Sequence, residues 1–222
     1  MKFIKKYFPL LIAVLLLTIS SVIYNSNLFS FFTALFGITY IYLIGKKEWT
    51  GYIFGITNNI MYAYTVFSSG MKLSALYYIG YAVPVMVIGL IYWKRNNVES
   101  KTEAKLSNFL KLLLFILIAF ALIGIIIFGK EKLYYDLVIT LFSSIALLLM
   151  AKNYKEQWLI WVFANIIGSL LWTGIFINTL QDMSLFIMWF IYLINSVYFL
   201  FEQKKQTKWC LFFYLHSLPF LL

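Results

Sequence analysis

Eight apolar runs, separated by short polar connections, dominate this sequence. Each run is about 20 residues long, the length that crosses the hydrocarbon core of a bilayer as an α-helix. The runs lie near residues 7–24, 28–45, 49–68, 73–93, 109–128, 134–151, 158–178 and 183–201. They lack the alternation of apolar and polar residues that membrane β-strands require. The sequence therefore predicts an all-α, polytopic protein embedded in a lipid bilayer.

Composition agrees with a membrane protein and argues against other classes. The chain is 63% hydrophobic and 12% charged, which is far from the composition of a soluble domain. Its single cysteine and single histidine, Cys210 and His216, exclude an intramolecular disulfide and leave too few ligands for a zinc centre. We expect no catalytic residue, no metal and no cofactor, and therefore no enzyme. The net charge of +10 comes from basic patches between the apolar runs, which indicates topology signals rather than nucleic-acid binding.

The basic residues predict the orientation of the helices. With a cytoplasmic N-terminus, 15 of the 18 Lys and Arg residues fall on the cytoplasmic side, and 3 fall on the other side, namely Lys72, Lys130 and Lys132. Membrane proteins carry such an excess on the cytoplasmic side. We therefore expect a multi-pass protein of the inner (plasma) membrane with both termini in the cytoplasm.

The two ends of the chain each allow a second interpretation. Residues 1–26 have the charged start and apolar middle of a signal peptide, but no convincing cleavage site follows. We expect this helix to be retained. Residues 209–222 are apolar but too short to span, and they contain His216 and Pro219. We expect them to form an interfacial or docked tail.

The two halves of the chain repeat one pattern around a polar linker at residues 94–108. A shift of 109 positions without gaps superimposes the runs of 28–93 on those of 134–201, placing Trp49 on Trp158. Because one helix separates the two triplets, both triplets have the same orientation. The predicted organisation is 1–27 N-terminal helix, 28–95 first three-helix repeat, 96–133 linker and linking helix, 134–203 second three-helix repeat, and 204–222 tail. Parallel repeats of this kind usually place a substrate site between the halves, near the midplane.

A stripe of aromatic and amide side chains marks the candidate site in the second repeat. Its members are Trp158, Trp161, Asn165, Gly168 and Trp172, spaced 3 or 4 residues apart, so they follow one face of a helix. Indoles beside a carboxamide suit a flat molecule with polar edges. Both Trp and Tyr also gather at membrane interfaces, and that explanation is favoured for four tryptophans taken singly: Trp49, Trp93, Trp158 and Trp189.

The first repeat contains a similar stripe. Tyr52, Gly55, Asn59 and Tyr62 share one helix face, and Asn58 lies beside them. An amide inside a membrane costs free energy unless it is hydrogen-bonded, so these asparagines should face protein, water or ligand. Hydrogen bonding between helices is an alternative role that the sequence leaves open.

These motifs resemble the PnuC family of vitamin transporters. Trp158, Trp161 and Asn165 match its W-x-x-W-x-x-x-N element, and Asp136 precedes them near the start of the previous helix. The resemblance covers roughly residues 28–203, and it departs from the family pattern at Tyr78, where relatives often have glutamine, and at Ser196, which replaces a glycine. It implies two three-helix bundles joined by one helix, as in the SWEET transporters. It also implies uptake of nicotinamide riboside, thiamine or riboflavin, with trapping by a cytoplasmic kinase.

Nicotinamide riboside is the favoured substrate, because its flat cationic ring suits indole and phenol faces at about 0.5–2 kcal/mol each. We expect Trp161 and Tyr62 to stack on the ring, and Asn165 and Asn58 to bond its amide and hydroxyl groups. Thiamine is also a flat cation, whereas riboflavin is neutral and larger.

The acidic residues predict the mechanism. None of the eight lies in the middle of an apolar run, and coupled carriers usually need an intramembrane ionisable group. We therefore expect facilitated diffusion. For Asp136, a helix N-cap is favoured over attraction of a cationic substrate. A channel or a structural membrane protein stays as an alternative, and the sequence leaves open whether the chain forms a homo-oligomer.

Overall fold

The computed structural model describes residues 2–98, 104–128, 132–179 and 183–217, and these are helical apart from short connections and one β-bridge between Ala104 and Tyr154. The all-α prediction is confirmed, with a helix at each of the eight apolar runs. The helices are α1 (Lys2–Ile23), α2 (Leu28–Gly45), α3 (Gly51–Ser68), α4 (Lys72–Tyr77), α5 (Val83–Asn96), α6 (Asn108–Phe128), α7 (Lys132–Ala151), α8 (Gln157–Thr179) and α9 (Met183–Ser217).

Six helical segments within the described residues are long and apolar enough to cross a membrane. They are Lys6–Ile23, Leu28–Gly45, Lys72–Asn96, Tyr134–Ala151, Gln157–Ile177 and Met183–Glu202. Helix α3 is not among them although it has 18 residues, because polar side chains such as Asn58 and Asn59 lower its hydropathy. The chain is thus a multi-pass membrane protein.

Six helices form a closed ring. Contacts run from α2 to α3, from α3 to α5, from α5 to α7, from α7 to α8, from α8 to α9, and from α9 back to α2. Helix α1 packs outside the ring on α2 and α9, and α6 packs outside it on α7. These are the neighbours that two repeated triplets require, and α1 precedes the first triplet as α6 precedes the second. The repeat itself stays a prediction.

Two matching loops connect α2 to α3 and α7 to α8. Each has five residues, 46–50 and 152–156, and each has a positive φ at its second residue, 60° at Lys47 and 57° at Asn153. The loops are 106 positions apart, whereas the far ends of α3 and α8 are 111 apart, because α8 has 23 residues and α3 has 18. A single shift of 109 positions therefore aligns neither the two loops nor the far ends of α3 and α8. With the loops aligned, Trp158 corresponds to Tyr52 rather than to Trp49.

A π-helical turn, Tyr78–Ala82, interrupts the helix between α4 and α5. Pro84 lies just after it, and a proline has no backbone N–H and clashes with the carbonyl four residues earlier. The wider turn relieves this clash while the segment Lys72–Asn96 continues across the membrane. As a result, Tyr77, Tyr78 and Ala82 all face the inside of the ring.

Ion pairs gather at the end of the bundle that carries the 46–50 and 152–156 loops, here called the basic end. Three lysine–glutamate pairs lie there: Lys6 with Glu48 at 2.7 Å, Lys46 with Glu202 at 3.4 Å, and Lys111 with Glu156 at 3.4 Å. The linker docks at the same end, where Ala104 N donates to Asn153 O and Lys155 N donates to Ala104 O, both at 3.0 Å. The basic end is the one predicted to be cytoplasmic.

Helix α9 does not end where the last apolar run ends. It continues through Ser217, whereas its apolar spanning segment ends at Glu202, next to the predicted boundary near residue 204. The division into a second repeat and a tail stays a prediction. Residues 218–222, the last part of the predicted tail, lie outside the described residues. Lys, Gln and Glu dominate residues 202–208, and these residues favour a helix, which explains why it continues beyond the apolar segment.

Candidate functional site

A cavity lies inside the helix ring and holds about 470 Å³ of space not occupied by atoms, including its opening. Every ring helix contributes to its wall, as does the π turn. Its lining is mainly aromatic: Tyr40, Ile41, Asn58, Asn59, Tyr62, Tyr77, Tyr78, Ala82, Met86, Ser143, Leu147, Trp161, Met188, Trp189 and Tyr192. A concave site of this kind, apolar with a few polar groups, is the usual form of a small-molecule site.

Tyr62 links the first triplet to the second. Its hydroxyl oxygen accepts the indole N–H of Trp172 at 2.6 Å and that of Trp189 at 2.9 Å. Its ring meets Tyr78 edge to face, with centroids 4.9 Å apart. We call these four residues the Tyr62 cluster. Two indole donors hold the phenol oxygen in place and leave its hydrogen to be donated.

Two asparagines of α3 line the cavity in different ways. The Asn58 amide donates to Thr33 O at 2.8 Å, and its oxygen accepts from the Tyr192 hydroxyl at 3.3 Å. The Asn59 amide lies 2.9 Å from the sulfur of Met86. A thioether is a weak acceptor, so Asn59 keeps hydrogen-bonding capacity for a bound molecule while Asn58 is tied to two other helices.

Trp161 lines the cavity and carries an unpaired donor. It is 8% exposed, and its Nε1 has no hydrogen-bond partner among the described residues. A buried polar group without a partner costs about 1–3 kcal/mol. A bound molecule with an acceptor at this position would remove that cost, so Trp161 is the strongest single indication of a ligand.

The sequence profile of the nicotinamide mononucleotide transporter family matches residues 27–205, most of the chain. The chain belongs to this family. Two curated relatives, both named nicotinamide riboside transporter PnuC, support the same assignment. The protein from Neisseria mucosa is 28% identical over 191 residues, covering 79% of this chain and 71% of the relative. The protein from Haemophilus influenzae is 26% identical over 183 residues, covering 78% and 77%.

A solved structure has the same fold. The crystal structure of the vitamin B3 transporter PnuC matches with a TM-score of 0.75 and 23% identity, covering 91% of this chain and 92% of that one. The family profile and the two curated relatives confirm the resemblance to the PnuC family and the expectation of a membrane transporter rather than an enzyme. The matched region, residues 27–205, contains every residue that lines the cavity.

Of the eight predicted substrate-binding residues, four line the cavity: Asn58, Asn59, Tyr62 and Trp161. Trp172 lies outside the cavity lining and donates a hydrogen bond to the Tyr62 hydroxyl. Asn165 donates to the Ser196 hydroxyl at 2.6 Å, and its own carbonyl oxygen is buried and unpaired among the described residues. The binding role of all eight residues stays a prediction.

The remaining two predicted residues, Tyr52 and Trp158, lie near the basic end. Tyr52 meets Trp93 edge to face with centroids 5.1 Å apart, and its hydroxyl donates to Met150 O at 3.3 Å. Trp158 packs on Phe199 with centroids 4.9 Å apart. Both are fully surrounded by protein. Their place in the fold is between helices, beyond the cavity lining.

The interface interpretation is wrong for three tryptophans, since Trp93, Trp158 and Trp189 are at most 3% exposed. Trp189 lines the cavity, and Gly168 makes room for it, because a Cβ at Gly168 would lie 2.2 Å from the indole ring. Trp49 is half-buried and lies 5.2 Å below the Lys94 ammonium at the basic end. The degree of burial distinguishes the three tryptophans inside the bundle from Trp49, whereas residue type alone does not.

Sequence reasoning missed most of the tyrosines in the wall. Tyr40, Tyr77 and Tyr192 are buried and line the cavity, yet no motif marked them. Tyr78 was noted only as a departure from the family pattern, and it also faces the cavity. A useful signal was available in the number of tyrosines, 17 in this chain, because buried tyrosines in a membrane protein need hydrogen-bond partners.

The N-cap interpretation of Asp136 is also wrong. Helix α7 begins at Lys132, so Asp136 is its fifth residue. The carboxylate is 3% exposed and accepts a hydrogen bond from the Ser74 hydroxyl of α4. It therefore bonds to a neighbouring helix inside a membrane span, which the composition of the apolar run did not indicate.

Proposed function

We propose that this protein carries nicotinamide riboside across the membrane through the central cavity. The main support for this proposal is the cavity wall, in which five tyrosines and two tryptophans surround two asparagines. A pyridinium ring is flat and cationic, and each aromatic face attracts such a cation by about 0.5–2 kcal/mol. The names of the two curated relatives support the same substrate.

The wall favours the riboside over the mononucleotide for which the family is named. The mononucleotide carries a phosphate, and proteins bind phosphate with Arg, Lys or backbone N–H groups at a helix start. Among the described residues, those that line the cavity include no lysine, arginine or histidine. A phosphate in this wall would lose its hydration without gaining a cation.

We further propose uncoupled transport, in which the two triplets rock about the cavity. The lining residues include no Asp, Glu, Lys or His that could carry a proton across. The Tyr62 cluster joins α3 to α8 and α9 on one side of the cavity, and such hydrogen bonds between triplets would have to break as that side opens. Trapping by a cytoplasmic kinase follows from the family resemblance alone.

Ligand binding to the purified protein tests the substrate. Tryptophan fluorescence is titrated in parallel with nicotinamide riboside, the mononucleotide, thiamine and riboflavin. We expect saturable quenching by the riboside and none by the mononucleotide. Tyr62→Phe removes the hydroxyl that holds two indoles and should weaken binding about 10-fold. Tyr64→Phe is the matched control, because Tyr64 lies on the same helix and is exposed.

Uptake into proteoliposomes tests the mechanism. The proteoliposomes contain no kinase, so uptake reports transport alone. Uptake should saturate with substrate, and it should continue after the proton gradient is collapsed because the carrier is uncoupled. Flux that rises linearly with concentration would favour the alternative of a channel. If thiamine alone quenches the tryptophan fluorescence, thiamine replaces nicotinamide riboside as the proposed substrate, and the cavity remains the proposed site.

A further inference from the structure

Asp136 differs from the other acids whose side chains the structure describes. Glu48, Glu156 and Glu202 lie at the basic end, each within 3.4 Å of a lysine. Asp136 is buried at the opposite end of the bundle, and no lysine or arginine with a described side chain comes within ion-pair distance. A buried carboxylate without a cation is unfavourable by several kcal/mol even after the protein relaxes. A bound cation would remove this cost.

Its surroundings hold the carboxylate in one position. The Ser74 hydroxyl donates to Asp136 Oδ1, and Ser74 Oγ lies 3.4 Å from Thr140 Oγ1. Ser74 and Asp136 are both at least nine-tenths buried. Among the described residues, Oδ2 has no hydrogen-bond partner. One oxygen is therefore anchored to α4, and the other is left for a ligand.

Asp136 lies on the same face of α7 as two residues that line the cavity. Asp136, Thr140, Ser143 and Leu147 are spaced 4, 3 and 4 residues apart on α7, so they share one face. Ser143 and Leu147 line the cavity, and Tyr77 and Tyr78, one turn after Ser74, line it too. Along the helix axis Asp136 is roughly 10 Å from Ser143, at 1.5 Å per residue.

We propose that Asp136, held by Ser74, is a cation-selective subsite beyond the cavity lining, on the side opposite the basic end, where it binds the pyridinium ring of the incoming nucleoside. The inference rests on the proposed function, because it requires a cationic substrate. The carboxylate attracts the cation before the aromatic wall encloses it, and it repels a phosphorylated nucleoside. Selectivity by charge then comes from Asp136, and selectivity by shape comes from the tyrosines and tryptophans.

The test compares two ligands of nearly the same shape and different charge. Nicotinamide riboside is a cation, and its 1,4-dihydro form is neutral. In the unmodified protein the cation should bind more tightly. In Asp136→Asn, affinity for the cation should fall about 10-fold, as expected for the loss of one charge–charge attraction, while affinity for the dihydro form should change less than twofold. Asp136→Glu retains the charge and should restore the preference.

Ser74→Ala should lower affinity for the cation in the same direction and by less, because it only positions the carboxylate. Equal losses for both ligands in Asp136→Asn would show a purely structural role and overturn the proposal, as would no loss for either. Uptake that requires a proton gradient in the unmodified protein, and loses this requirement in Asp136→Asn, would also overturn it. If the unmodified protein binds thiamine and no riboside, the proposed substrate fails, and thiamine then serves as the cation for the same comparison.

Discussion

The two junctions that close the helix ring are held by different chemistry. Where α2 meets α9, glycines allow close approach: a Cβ at Gly37 would lie 2.1 Å from the Tyr192 hydroxyl, and one at Gly45 would lie 2.0 Å from the Phe199 ring. We call this contact the glycine junction. It depends on the absence of side chains, as helix contacts in membranes often do.

The junction of α4 and α5 with α7 depends on hydrogen bonds. Trp93 Nε1 donates to Met150 O at 3.2 Å, and the Tyr81 hydroxyl donates to Ser144 O at 3.1 Å. Ser74 and Asp136 bond across the same contact, and Tyr52 of the adjacent α3 also donates to Met150 O. We call this the hydrogen-bonded junction. In the predicted repeat, the contact of α9 with α2 corresponds to the contact of α5 with α7. The same contact between triplets is then stabilised in two different ways.

The difference has a mechanical consequence. A hydrogen bond fixes both a distance and an angle, whereas a contact at glycine fixes only how closely two backbones approach. We therefore expect the triplets to move more freely at the glycine junction during transport. Each junction should also respond to a different kind of substitution.

The largest effect should come from adding a methyl group at the glycine junction. Gly37→Ala places a carbon where the Tyr192 hydroxyl and the Asn58 amide already lie, and such overpacking costs about 1–3 kcal/mol of unfolding free energy. The melting temperature in detergent should fall, with loss of ligand binding. Gly174→Ala is the control, because a Cβ there would meet nothing within 4 Å. Equal melting temperatures for the two variants would contradict the tight contact.

A change in the cavity wall, away from both junctions, should affect binding and leave stability intact. Trp161→Phe keeps an aromatic side chain and removes the pyrrole part of the indole, with an N–H that has no partner among the described residues. Affinity for nicotinamide riboside should fall about 5–10-fold if the ligand accepts this hydrogen bond. Removing the unpaired N–H offsets the packing lost with the smaller side chain, so the melting temperature should change little. A lower melting temperature with unchanged affinity would mean that the indole N–H has a structural role.

Removing a donor at the hydrogen-bonded junction should have a smaller effect on stability. Tyr52→Phe deletes one of three hydrogen bonds to Met150 O, at a cost of about 0.5–1.5 kcal/mol. Tyr92→Phe, at an exposed position of α5, is the control. Denaturation curves for the two variants measure the difference. A loss of 3 kcal/mol or more, on the order of an overpacked core, would place Tyr52 in a role beyond this bond.

The smallest effect is expected at the ion pair beside the glycine junction. Lys46 and Glu202 are partly exposed and 3.4 Å apart, and such pairs contribute about 0–1 kcal/mol. Glu202→Gln should lower the melting temperature slightly at low salt and not at high salt. An effect that persists at high salt would indicate packing by the side chain rather than charge.

Much of the architecture could be predicted because helix formation in a membrane is decided locally. Run length and the asymmetry of basic residues predicted the positions of the spanning helices, and the motif of Trp158, Trp161 and Asn165 predicted the family. Four of the eight predicted binding residues, including Trp161, face the cavity. Trp158 and Tyr52 fall outside it, because helical spacing gives a common face and does not say what that face meets.

The sequence by itself determined that the chain crosses a bilayer many times, where its helices lie, and which family it belongs to. Only the tertiary structure decided which faces point inward, how Tyr62 joins α3 to α8 and α9, and that Asp136 meets Ser74. The physical reason is that lipid and protein interior are both apolar, so a membrane helix lacks the hydrophobic and polar faces that orient a helix in water. Its orientation follows from contacts between residues far apart in the chain, such as Trp172 with Tyr62.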